Sequence, residues 1–132
     1  YWDYNAPGIP NAQRDASAAA IMASALIELS GYSNPALSNK YLQTVSIILQ
    51  TLSSTEYTAA LGKNGGFILK HSVANMNSNT EVDAPLSYAD YYYVEAMMRY
   101  RNIVKKDSNK VAIQAKSIHV NNITWILKVN FH

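Results

Sequence analysis

The chain has 132 residues, of which 48% are hydrophobic and 15% charged, with a net charge of +2 and no cysteine. That length allows one domain with a modest core, and no apolar run approaches the ~20 residues of a membrane span. Without cysteine, a disulfide framework and a thiolate metal site are both excluded.

Residues 1–14, YWDYNAPGIPNAQR, read as a loop. Pro7-Gly8 and Pro10-Asn11 are turn dipeptides, and a helix interior tolerates neither proline. No basic segment leads into an apolar one here, so no signal peptide is read, and the missing initial Met leads us to expect a longer parent chain. Asp15 stands where an N-cap belongs, with Ser17 as the alternative. The helix that follows, ASAAAIMASALIELS over 16–30, is nearly all small or apolar, with Glu28 its only charge. A helix without a polar face must be surrounded by protein, so this one reads as an inner helix. Gly31 sits at its C-cap, and Pro35 is expected to bar its continuation.

A second helix, 39–53, is one-sided. Tyr41, Leu42, Val45, Ile48, Leu49 and Leu52 share a face, with Lys40, Gln43, Thr44, Ser46 and Gln50 opposite. It reads as an outer helix. Residues 54–86 form a long segment broken by Gly62, Gly65-Gly66, Asn75, Asn77, Asn79 and Pro85; loops this long in a compact domain are usually functional or disordered. A third helix is expected over 89–104, apolar almost all round and again inner. Of Tyr91-Tyr92-Tyr93, at least one must be core, since successive helical residues point ~100° apart. Alternation of inner and outer helices predicts an α/α barrel or stacked helical array.

From residue 101 the charge balance turns. Residues 1–100 carry five basic and eight acidic side chains (−3), whereas residues 101–132 carry six basic side chains against Asp107 (+5). Beyond Lys110 the period falls to two, and a β-hairpin over 111–131 is expected, turning near Asn121-Asn122. The basic charges of this tail are scattered and not interleaved with stacking aromatics, so no nucleic-acid role is expected. No phosphate-binding glycine loop, catalytic Ser-His-Asp order or zinc spacing can be assembled, and His71 lacks the companions a metal site needs.

In an α/α barrel the loops entering inner helices open at one end. Trp2, Asp3, Arg14 and Asp15 precede the first inner helix, and Tyr88, Asp90 and Tyr91 stand at the start of the second. Rings that stack on a pyranose, carboxylates that accept from hydroxyls and an Arg that pairs with a uronate suit a sugar-acid pocket. Each has a structural counterpart: Asp15 as an N-cap, Asp90 the same at the later helix, Arg14 as partner of either acid.

The stretches YWD…PGIPNAQRDASAAAIMASALIELS, GGFILKHSV and DAPLSYADYYYVEAMMR resemble, in order and spacing, the C-terminal third of unsaturated glucuronyl hydrolases, glycoside hydrolase family 88. The likeness covers about 1–104 and leaves 105–132 unmatched as a basic tail. It implies a mainly α fold, part of an (α/α)6 barrel. It implies removal of 4,5-unsaturated uronic acid from the non-reducing end of lyase-generated oligosaccharides, in which an aspartate protonates the vinyl ether and water adds at C5. No metal or organic cofactor is implied. The family's catalytic aspartates lie in its N-terminal half, so none is assigned to this segment, and the isolated segment is expected to be inactive. The substrate-binding candidates are Trp2, Arg14, His71, Tyr88 and Tyr91. The partner expected is an unsaturated uronyl oligosaccharide, with neither membrane nor nucleic acid. Self-association is expected through inner-helix faces left bare, at Ile21, Met22, Met97 and Met98. The rival reading is a non-catalytic helical module for carbohydrate binding or protein interaction.

Overall fold

Asp15 starts the first helix as its position suggests. Its carboxylate accepts from the N–H of Ser17 at 3.0 Å and of Ala18 at 3.3 Å, from an extended backbone, and α1 (Ala16–Ser30) follows. The structure, a computed structural model, describes residues 1–107, so the hairpin expected over 111–131 lies outside the described residues. Gly31 closes α1 with a right-handed φ of −69°, its N–H donating back to Glu28.

The second helix begins earlier than expected. Asn34 caps it, its side-chain oxygen accepting from Leu37 N–H at 3.0 Å, and Pro35 is its first residue, so α2 spans Pro35–Leu52 rather than 39–53. Proline lacks only a donor that the first helical turn leaves unused, and its φ is set for a helix; Pro35 opens α2 instead of merely closing off α1. Val45, Leu49 and Leu52 are buried while Gln43 and Gln50 are exposed, as the one-sided pattern requires.

The segment 53–86 is more ordered than a loop. Thr58 and Leu69 form an isolated antiparallel bridge, with Lys70 N–H donating to Tyr57 at 2.8 Å and Ala59 N–H to Ile68 at 2.9 Å. A single 3-10 turn at Asn64–Gly66 reverses the chain, and the positive φ of Gly65 and Gly66 shows why glycine is needed there. Then β1 (Ser72–Asn75) and β2 (Thr80–Ala84) pair antiparallel. The asparagines that looked like loop punctuation make the connection: Asn75 Oδ1 accepts from Ser78 N–H, and Asn79 takes a φ of +50°. The register jumps from Val73↔Val82 to Ser72↔Ala84, which leaves Asp83 as the extra residue of a β-bulge. The third helix, α3, spans Ser87–Asp107, longer at both ends than the expected 89–104.

The molecule is mainly helical with one small two-stranded sheet. α1 packs against both α2 and α3, which touch each other little. Its buried row is small: Ala16, Ser17, Ala20, Ala23, Ser24, Ile27 and Ser30. Ala89, Tyr93 and Ala96 line the facing side of the core from α3, and Tyr57 and Leu69 close it from the segment between. Of the tyrosine triplet, Tyr93 is fully buried, Tyr92 half-buried and Tyr91 exposed. A second face of α1 is bare: Ala18, Ile21, Met22, Ala25 and Leu29 are exposed. Met98 is also exposed, but Met97 packs partly against the core, contrary to expectation, because it lies four residues after buried Tyr93, on the same face of α3.

Tyr93 ties the two remote helices together, its hydroxyl lying 2.8 Å from Ser53 Oγ at the end of α2. Burial raises its phenol above the usual value, and the Ser53 hydrogen bond opposes the rise. A phenol that ionises later in the folded chain than in the unfolded one contributes fully below pH ~10 and loses that contribution as the pH passes its folded value. Thermal melts from about pH 9 to 11 are expected to show a steeper fall for the wild-type chain than for Tyr93→Phe; equal slopes would contradict it.

Candidate functional site

The first turns of α1 and α3 are joined by the backbone between them in sequence. Asp15 Oδ1, besides capping its own helix, accepts from Val73 N–H at 3.2 Å, and Ala16 N–H donates to the His71 carbonyl at 2.9 Å. Asp90, in the first turn of α3, takes the N–H groups of Ile68 and Leu69 on its two oxygens, each at 2.8 Å. Both aspartates are therefore committed to backbone donors. Asp90 has both oxygens engaged, while Asp15 takes all its donors on Oδ1.

On this frame Tyr57 stands against His71, and the Arg14 charge acts on the Tyr57 phenol. The Arg14 guanidinium lies 4.3 Å from the centre of the Tyr1 ring, stacked over its face. Tyr57 meets His71 edge-on, with ring centres 6.0 Å apart at 89°. Burial pushes the Tyr57 phenol up; the nearby Arg14 charge draws it down, while Glu56 and Tyr1 act upward. His71 Nδ1 lies 2.5 Å from Asp83 Oδ1, with both side chains partly exposed.

The other candidates stand apart from this group. Trp2 is half-buried and tied by its N–H to the Gln13 carbonyl at 3.0 Å, one residue before Arg14. Tyr88 and Tyr91 are exposed in the first turn and a half of α3, with Tyr91 packed edge-on against Tyr92 at 5.1 Å. Among the described residues, no hydrogen bond, ion pair or ring contact links either tyrosine to Arg14 or His71. No group of three His, Cys, Asp or Glu side chains that could hold a metal occurs among the described residues, and no helix there is long and apolar enough to cross a membrane. Sequence reasoning missed Tyr1, Tyr57 and Asp83. A hairpin read across the Asn75–Asn79 turn would have paired the flanking residues and brought His71 beside Asp83.

No protein-family model matches the chain. Over 106 residues, 80% of its length, it is 47% identical to an unsaturated glucuronyl hydrolase of Formosa agariphila. Over 102 residues it is 29% identical to an unsaturated glucuronyl hydrolase of Bacillus sp. strain GL1. The chain is a segment homologous to unsaturated glucuronyl hydrolases. It spans about a quarter of these relatives, 26% of each. The solved structure of an unsaturated glucuronyl hydrolase specific for heparin superposes with a TM-score of 0.75 at 50% identity, covering 79% of this chain and 28% of that one. The likeness drawn from the sequence motifs and this superposition therefore agree on the same hydrolases.

Asp90 clamps the 68–69 backbone to the start of α3, so its removal acts on stability. Asp90→Ala strands two backbone donors and is expected to cost about 2–4 kcal/mol in urea unfolding, with Asp90→Asn losing less because one acceptor remains. An Asp90→Ala chain as stable as wild type would refute the clamp.

Proposed function

We propose that the chain is the C-terminal part of an (α/α)6 barrel hydrolase that removes 4,5-unsaturated uronic acid from the non-reducing end of lyase-generated oligosaccharides. In this reading α1 and α3 are inner helices, α2 is an outer one, and the loops at 1–15 and 67–73 form part of the pocket wall. Arg14 and His71 meet the acidic sugar, with Trp2, Tyr88 and Tyr91 as further binding side chains. The catalytic acid comes from the remainder of the barrel, since Asp15 and Asp90 are engaged with backbone donors. The observation that carries the reading is 47% identity sustained over 106 residues of a relative of which the chain spans 26%.

The test is a chimera in which residues 1–107 replace the homologous segment of the Formosa agariphila relative. Loss of the substrate's double-bond absorbance is expected at a rate within about tenfold of the parent, while the 132-residue chain alone gives none. A folded but inactive chimera would count against the reading, as would turnover by the chain alone.

The bare face of α1 fits the same reading, as a seam against the rest of the barrel. Ile21, Met22 and Leu29 are 39%, 53% and 45% exposed, and an apolar stripe of this kind drives association when nothing covers it. Light scattering of the chain alone is expected to show dimers or larger species. Met22→Glu combined with Leu29→Lys should return monomers. A wild-type chain that stays monomeric on concentration would overturn the seam.

A further inference from the structure

Two residues that face each other across the small sheet adopt backbones that L residues usually avoid. His71 has a φ of +62° and Asp83 a φ of +53°. Neither is glycine, so each conformation carries a steric cost that the surroundings must sustain, and such outliers gather where side-chain direction matters. His71 is sustained by its neighbours. Its carbonyl accepts from Ala16 N–H, Lys70 N–H donates to Tyr57, and Leu69 N–H is held by Asp90. Asp83 is the extra residue of the bulge, so it contributes nothing to strand pairing that Val82 and Ala84 do not already make. A bulge re-aims one side chain. Here that side chain ends on His71 Nδ1 at 2.5 Å.

We infer that Asp83 is a positioning residue that fixes the His71 imidazole and presents its Nε2 edge to a sugar hydroxyl of the ligand. An acceptor-only carboxylate on Nδ1 requires the proton to sit on that nitrogen, which leaves the Nε2 lone pair as an acceptor. Tyr57, edge-on to the ring, sets its plane, and the side chain of His71 keeps 37% of its surface open. The ring thus has one nitrogen occupied, its plane fixed and its other nitrogen available. The role in binding rests on the hydrolase reading; the tautomer does not.

Two measurements test it. In the full 132-residue chain with histidine ring nitrogens labelled, and with His71 assigned through His71→Gln, the neutral ring is expected to be the Nδ1–H tautomer. Magic-angle spinning reads associated material equally well. Asp83→Asn can donate to Nδ1 and is expected to switch the ring to Nε2–H. A wild-type Nε2–H ring, or no switch in the variant, overturns the positioning. In the active chimera, Asp83→Asn is expected to raise KM for an unsaturated uronyl disaccharide about tenfold with kcat little changed, the loss of one ligand hydrogen bond, and Asp83→Glu to restore part of it. An unchanged KM overturns the ligand role while leaving the hydrolase reading standing; an inactive unsubstituted chimera defeats that reading instead, and the tautomer measurement still decides whether Asp83 positions His71.

Discussion

Between Ile68 and Val73 the backbone is gripped by two carboxylates belonging to different helices. Asp90 reaches it from α3 and holds Ile68 and Leu69; Asp15 reaches it from α1 and holds Val73. Hydrogen bonds to a charged acceptor are the strong kind, worth about 1.5–3 kcal/mol each when partly buried. They do more here than add stability. His71 lies between the two grips, so its position relative to Arg14 follows from two helix starts and not from a loop's own preferences. Asp15 also caps α1, which means that helix, loop and sheet share one acceptor. A change there is felt in three places.

Small side chains make this convergence available. With Ala16, Ala20 and Ala23 on its buried row and Ala89 and Ala96 facing it from α3, α1 can lie close to its neighbour while a full tyrosine, Tyr93, reaches across to α2. Close approach would strand polar groups, and the sequence meets this with short donors. Ser24 Oγ donates to Glu95 at 2.6 Å, and Arg99 bridges Glu95 and Glu28 at 3.1 and 2.9 Å. The Arg99 pairs are partly exposed and contribute little energy. Their effect is on register: a sliding of α3 along α1 would separate Glu95 from Ser24 and Arg99 from Glu28 together.

What the sequence made legible follows from how local each signal is. Asp15 announced α1 because a cap is a contact over two or three residues. The tyrosine triplet announced one buried member because helical geometry leaves no other option. Pro35 was ambiguous: the same missing donor that ends one helix suits the first turn of the next, and only Asn34 as cap decides between them. The small sheet was hidden for a different reason. Val73 is the only buried residue of its two strands after Ser72, so there is no alternation to see, and glycine- and asparagine-rich connections outweigh it. The candidate site was legible in part. Arg14 and His71 stand out by residue type, but the setting of His71 beside Tyr57 and Asp83 is made by Asp90, Asp15 and a bulge, none of which leaves a pattern along the chain.

The groups that fix His71 and those that leave α1 uncovered are different residues. Asp15, Ala16, Tyr57, Asp83 and Asp90 set the ring, while Ala18, Ile21, Met22, Ala25 and Leu29 form the bare stripe. Every hydrogen bond that places the ring is made within residues 15–90. The geometry around His71 is thus a property of this segment, whereas the stripe is a demand the segment places on something else. Covering the stripe removes apolar area from water, at roughly 25 cal/mol per Å², and so raises the energy of opening the helices. It adds no contact to the imidazole. Stability and site geometry are consequently separable in this chain: a covering surface changes how often the site is intact, and the two carboxylate grips decide what it looks like when it is.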